Sequence, residues 1–262
     1  LAARPSMGKT SLALNMALSA AQAGANNEQG GGNVAIFSFE MSVEQLASRL
    51  LSSSAGVSTS AMAHGDLKTE EFTRIATAAD ELSSLKIFID DTPQLTVPQM
   101  RSRARRLKRQ HSIDFIVVDY LQLMRGSGRA SDNRVNEISE ISQGLKALAR
   151  ELNVPVLALS QLSRSVESRE NKRPLLSDLR ESGSIEQDAD IVMFLYREAY
   201  YKEREFGADP TPEQEAALEE IKNLSELLIS KNRKGSTGQF KLIFDGPTTT
   251  FKDYTPAHYE NV

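Results

Sequence analysis

The chain has 262 residues, 40% apolar and 25% charged, the balance of a globular protein with room for a sizeable core. It contains no cysteine, and its three histidines lack ligand spacing, so disulfides, thiolate zinc centres and cysteine nucleophiles are excluded. The net charge of −4 argues against coating nucleic acid through bulk positive charge but leaves room for local basic loops; with no signal peptide and no apolar run near the roughly 20 residues of a bilayer span, a cytoplasmic protein is expected.

The chain opens on Ala3-Arg4-Pro5-Ser6-Met7-Gly8-Lys9-Thr10, which matches the phosphate-loop pattern G-x-x-x-x-G-K-[ST] except for Ala3 at the first glycine. In such a loop, backbone N–H groups curl around a phosphate at a helix N-terminus, the lysine reaches the outer phosphate oxygens and the hydroxyl ligates Mg²⁺. An apolar face from Leu12 onward predicts a helix over Thr10–Ala23, followed by a Gly/Asn-rich surface connection, Gly24–Asn33. The strand Val34–Phe39 then ends at Glu40. An acid closing a buried strand is costly unless it faces a polar site. Glu40 is therefore the expected general base that activates water; its alternative is an acid at the start of the helix Val43–Ala55.

A helix over Thr69–Ser83 and a strand over Lys86–Ile89 follow, then a helix over Val97–Gln110 carrying the basic run Arg101–Arg109. Val97, Met100, Ala104 and Leu107 form an apolar stripe on it, so the run reads as the solvated face of a surface helix, with a subunit contact as the runner-up. Strand Ile113–Val118 ends in Asp119. A carboxylate at the end of a parallel strand beside a phosphate loop holds Mg²⁺ through water; the bland alternative is a turn cap. The loop Arg125–Arg134 reads equally as channel lining or as solvated chain. Helix Arg134–Leu152 and strand Pro155–Ser160 lead to a long charged loop, Gln161–Gln187, holding Arg164, Arg169, Lys172, Arg173 and Arg180. Strand Ile191–Tyr196, an acidic peripheral insertion Tyr200–Asn223 with a short helix, and strands Glu226–Ser230, Gln239–Asp245 and Thr250–Tyr254 complete the chain. Strands alternating with helices predict an α/β fold with a parallel sheet and right-handed crossovers.

Four strings, Ala-Arg-Pro-Ser-Met-Gly-Lys-Thr (3–10), Phe-Ser-Phe-Glu-Met-Ser (37–42), Asp-Tyr-Leu-Gln-Leu-Met (119–124) and Asp-Leu-Arg-Glu-Ser-Gly-Ser-Ile-Glu-Gln-Asp-Ala-Asp (178–190), resemble the bacterial replicative helicase family, DnaB. The resemblance implies a RecA-like P-loop NTPase fold over 1–262: a mostly parallel twisted sheet flanked by helices, with an antiparallel C-terminal extension. It also implies a homo-hexameric ring that uses ATP and Mg²⁺ to move on single-stranded DNA and unwind duplex, with primase and a loader as partners of the full-length protein.

By position, the resemblance assigns nucleotide contacts to Ser6, Met7, Gly8, Lys9, Thr10 and Ser11, and the metal to Thr10 and Asp119. Glu40 becomes the catalytic glutamate, Gln161 a γ-phosphate sensor, and Arg49 a neighbour of the base (or a plain exposed arginine). Lys231 and Arg233 become cations reaching into a neighbouring subunit's site, or else a solvated basic turn. Arg180, Glu181 and Gly183 become the DNA contacts. With no Trp and no aromatic residue in the basic loops, that contact is expected to be electrostatic and salt-dependent rather than stacked. The family's N-terminal scaffold domain, linker helix and leading strand have no counterpart here, so the chain is expected to be a piece of a longer protein. A strand-exchange protein on the same core, forming an open filament, and a nucleotide-binding scaffold without turnover are the competing readings.

Overall fold

In the computed structural model, residues 1–29, 31–126, 134–207 and 209–255 are described, with backbone alone at 180–183. Five apolar runs form parallel strands: β1 (Ala2–Ala3), β2 (Asn33–Ser38), β3 (Ile87–Asp90), β4 (Ile113–Asp119) and a strand in two pieces, β5 (Val156–Ala158) and β6 (Ser160–Gln161). A sixth parallel strand, β7 (Ile191–Tyr196), pairs with β1, and β8 (Leu224–Asn232), β9 (Gly238–Asp245) and β10 (Thr250–Asp253) continue antiparallel from it.

The strand in two pieces joins everything into one sheet. β5 pairs with β4 and β6 with β1, while Leu159 between them donates its N–H to Val118 O at 2.9 Å. The order is therefore β3-β2-β4-β5/β6-β1-β7-β8-β9-β10. β1 sits near the middle, so the strand expected to be missing ahead of the phosphate loop is present as Ala2–Ala3, too short to be read as a strand from the sequence. The chain leaving it emerges between its neighbours' carboxyl ends, where open α/β sheets bind ligands.

Helices cover both faces, which is why the central strands read as unbroken apolar runs. On one face, Val34, Ile36 and Val117 pack with α1 (Lys9–Ala25) and α2 (Val43–Ala55). On the other, Ala35, Phe37, Ile116 and Val118 pack with α5 (Val97–His111) and α6 (Arg134–Leu152). The alternation along β2 and β4 follows from the period of two of an extended chain. Two further helices, α3 (Thr59–His64) and α4 (Thr69–Ser84), pack beside α2 around Ala55, Val57 and Ala78. α3 was not expected: none of its residues is buried, so it carries no apolar stripe for a sequence to display.

The basic run on α5 behaves as its surface face. Val97, Met100 and Ala104 are buried, Arg101 and Arg105 both pair with Glu151 on α6, and Arg103 meets Asp90 at 2.6 Å. The charged stretch 161–187, expected as a loop, is more ordered than its composition suggests. It holds two short 3₁₀ turns and α7 (Gly183–Asp188). Arg169 grips the buried Asp178 through two bonds of 3.1 and 2.7 Å, and Arg173 grips the buried Glu226 through two of 2.8 and 2.7 Å. Forked arginine–carboxylate pairs, rather than an apolar stripe, shape this segment. The acidic insertion likewise resolves into α8 (Glu198–Phe206) and α9 (Pro212–Ile221).

Candidate active site

Several helices here start with their own side-chain cap. Ser42, Thr96 and Thr211 each close a capping box on α2, α5 and α9. α1 does not: its N-cap is Gly8 with φ 92°, no side chain caps it, and its first turn has no acid. A helix left with bare N–H groups and no local negative charge is suited to an anion supplied from outside. The loop before it is shaped for close approach. Ser6 also takes a left-handed conformation (φ 66°), and a Cβ on Gly8 would come within 2.9 Å of the Phe251 ring. Met7 is buried in the core and does not line the cleft, whereas Ser6, Gly8, Lys9, Thr10 and Ser11 line an open cleft of about 580 Å³.

Asp119 ends β4 beneath this loop with 2% of its surface exposed. Thr10 Oγ1 donates to its Oδ2 at 2.7 Å, while its Oδ1 is buried without a partner among the described residues. Burial pushes the Asp119 carboxyl up, opposed by Lys9, the Thr10 hydroxyl and Arg49. Burial likewise pulls the Lys9 ammonium down, opposed by Asp119 and Glu40, and its Nζ lies 4.4 Å from the centre of the Tyr120 ring. An orphaned carboxylate oxygen beside a hydroxyl fits a hard divalent cation. Among the described residues no group of three or more acids or histidines is placed to hold a metal ion.

Glu40 stands exposed in the bend between β2 and α2. Phe39 N–H donates to Asp119 O at 2.7 Å, so the two acids end adjacent strands, and the Ser38 hydroxyl, donating to Met41 O at 2.7 Å, holds the bend. Arg49 reaches back from α2 into the same cleft. Burial lowers its pKa, opposed by Asp119 and Glu40, which places its charge among the two acids. Gln161, at the end of β6, lines the cleft as well. Sequence reasoning missed Met41, Gln45, Tyr120, Phe244 and Thr249, which complete the lining. Phe244 and Thr249 arrive from the far end of the chain, and no local pattern ties them to the phosphate loop.

Lys231 and Arg233 are not part of this cleft. Lys231 Nζ donates to Glu186 O, and Arg233 bonds Gln187 O and pairs with Asp190 at 3.3 Å, so both cations rest on the C-terminal end of α7. Arg180, Glu181 and Gly183 lie where the backbone passes from a 3₁₀ turn into α7, and their side chains fall outside the described residues. Most of the loop Arg125–Arg134 also lies outside them. Of the other basic residues of 161–187, Arg169 and Arg173 are held by carboxylates.

Residues 1–253 match the family model described as DnaB-like helicase C terminal domain. The chain is 50% identical over 262 residues to the replicative DNA helicase DnaB of Rickettsia bellii, covering 96% of this chain and 52% of that protein. It is 50% identical over 244 residues to that of Geobacillus stearothermophilus, covering 93% of this chain and 49% of that one. It therefore spans about half the length of the curated relatives it matches. Among solved structures, one described as an ATPase domain superposes with a TM-score of 0.83 at 38% identity, covering 97% of this chain and 83% of that one. A DnaB-like replicative helicase described with its interactions with primase gives the same score and identity, covering 97% of this chain and 58% of that one. No helix among the described residues is long and apolar enough to cross a membrane.

Proposed function

This chain belongs to the DnaB-like helicase C-terminal domain family, and from that premise we propose that it is the ATP-hydrolysing motor of a cytoplasmic replicative DNA helicase, forming one RecA-like domain of a longer protein. The observation that carries the reading is the convergence of Lys9, Thr10, Glu40, Arg49 and Gln161 on one cleft above the buried, half-partnered Asp119.

The uncapped start of α1 receives the phosphates, and Lys9 supplies positive charge to the outermost of them. Thr10 and Asp119 would hold Mg²⁺ when nucleotide is bound, and the ion would supply positive charge to the phosphoryl oxygens. Glu40 is exposed to water at the mouth of the cleft and accepts the proton of the attacking water. Gln161 stands at the join between β6 and the basic segment, where contact with the outer phosphate bears on the strand that leads to the DNA-facing residues Arg180, Glu181 and Gly183. Lys231 and Arg233 serve a neighbouring copy, stabilising charge that builds on its γ-phosphate. A homo-hexameric ring around single-stranded DNA, with primase and a loader contacting the full-length protein, is the assembly this arrangement suits.

The direct test is ATP hydrolysis by the full-length protein with and without single-stranded DNA, beside Lys9→Ala. DNA-stimulated turnover that Lys9→Ala abolishes is the expected result. Turnover that survives Lys9→Ala would remove the cleft from the reaction.

A further inference from the structure

Gln122 lies in the 3₁₀ turn Leu121–Leu123, three residues past Asp119, inside the string 119–124 but with no role assigned to it above. Its side chain is half-buried and makes three hydrogen bonds. Nε2 donates to Ser160 Oγ at 2.8 Å and to Gln161 O at 3.2 Å, while Oε1 accepts from Gln161 N–H at 3.2 Å.

The strand 156–162 explains why those contacts exist. Successive residues of an extended chain offer their N–H and C=O to opposite neighbours. Ser160 and Leu162 donate toward β1, reaching Leu1 O at 3.0 Å and Ala3 O at 3.1 Å. Leu159 faces β4, giving its N–H to Val118 O and taking that of Leu121, both at 2.9 Å. Gln161 is the next residue to face that way, but the chain has already left β4 and turned into the 3₁₀ turn. Its N–H and C=O would be left without a ladder partner, which is costly inside a protein. A carboxamide carries an acceptor oxygen and two N–H donors. Gln122 sets its oxygen against Gln161 N–H and one N–H against Gln161 C=O as the missing rung, with Nε2 also donating to Ser160 Oγ.

We infer that Gln122 is a positioning residue for hydrolysis: its side-chain amide extends the β4 ladder by one rung and fixes the backbone from which Gln161 faces the nucleotide cleft. The inference rests on the ATPase reading above and names a contact that reading does not use. The rung is braced from behind, because the Gln122 carbonyl accepts from Arg134, Arg134 pairs with Glu137, and Glu137 accepts Gly126 N–H at 2.9 Å. Gly126 and Arg134, which flank 127–133, are thus tied through the Glu137 and Arg134 side chains to the Gln122 main chain, and the Gln122 side chain links that point to Gln161.

The test uses the full-length protein and two variants. Gln122→Met keeps length and volume but removes donor and acceptor; Gln122→Glu keeps an acceptor for Gln161 N–H and loses the donor. The expected result is a kcat for ATP lowered about tenfold or more in Gln122→Met, with KM within about twofold of the parent, and an intermediate kcat in Gln122→Glu. The stimulation by single-stranded DNA should shrink in the same order. Two outcomes overturn the inference while leaving the ATPase reading intact: unchanged kcat in both variants, or a loss of nucleotide affinity and Tm in step with kcat, which marks a purely structural amide. A parent protein without ATP hydrolysis overturns both at once.

Discussion

At the scale of single residues, the site is an arrangement of charge in which each group corrects its neighbour's burial. Asp119 is tolerable beneath the sheet's carboxyl edge because Thr10, Lys9 and Arg49 surround it, and Lys9 is tolerable because two acids face it. Glu40 alone stands in solvent, with no hydrogen bond from another described residue to its carboxylate. Glu40→Gln should therefore leave ATP affinity within about twofold while lowering turnover by about a hundredfold or more, measured by nucleotide titration beside steady-state hydrolysis. Turnover near that of the parent would take the base role from Glu40. These residues were legible in the sequence because each sits at a point where a pattern breaks: a glycine–lysine pair before a helix, or an acid after an apolar strand. Gln122 broke no pattern. Its role depends on which strand lies beside it, and linear spacing does not carry that information.

Elements were legible in proportion to how much apolar stripe they show. α2, α6 and β7 have the bounds that periodicity predicts, because each buries a repeated face. α3 and the turns of 161–187 escaped because polar contacts hold them, and a forked arginine pair leaves no periodic trace. The same reasoning separates the two basic stretches of the molecule. On α5, Arg101 and Arg105 share Glu151 and are partly exposed, so they contribute little to stability and face a carboxylate on their own chain. Replacing both with Gln should leave single-stranded DNA affinity within about twofold and Tm nearly unchanged, by fluorescence anisotropy and thermal melting. A tenfold loss of DNA affinity would mean that this helix, and not the segment after Gln161, meets the strand.

For the molecule as a whole, the sheet sets the distance between cleft and cations. The cleft opens at the carboxyl ends of β1, β4 and β6, level with Tyr196 at the end of β7. Lys231 pairs with Val192 near the start of β7, and Arg233 N–H donates to Asp190 O before that strand begins. Four to six residues of extended chain span about 13 to 20 Å, so both cations sit away from the cleft of their own chain. A mixture of Arg233→Ala and Lys9→Ala proteins, each inactive, should therefore recover about one quarter of parental turnover when co-assembled at equal amounts, since only one interface in four pairs an intact loop with an intact cation. No recovery in confirmed mixed assemblies would assign the pair to a role within its own chain. With the cleft and the cation pair at two separated points, and both serving the reaction as proposed, one body has a front and a back. A row of such bodies has a direction, and an open row ends in one cleft that no neighbour completes and one cation pair with nothing to complete. Closing the row removes both idle ends together, so the last copy to join restores a full set of working sites, and the loss of any one copy leaves the row with ends again.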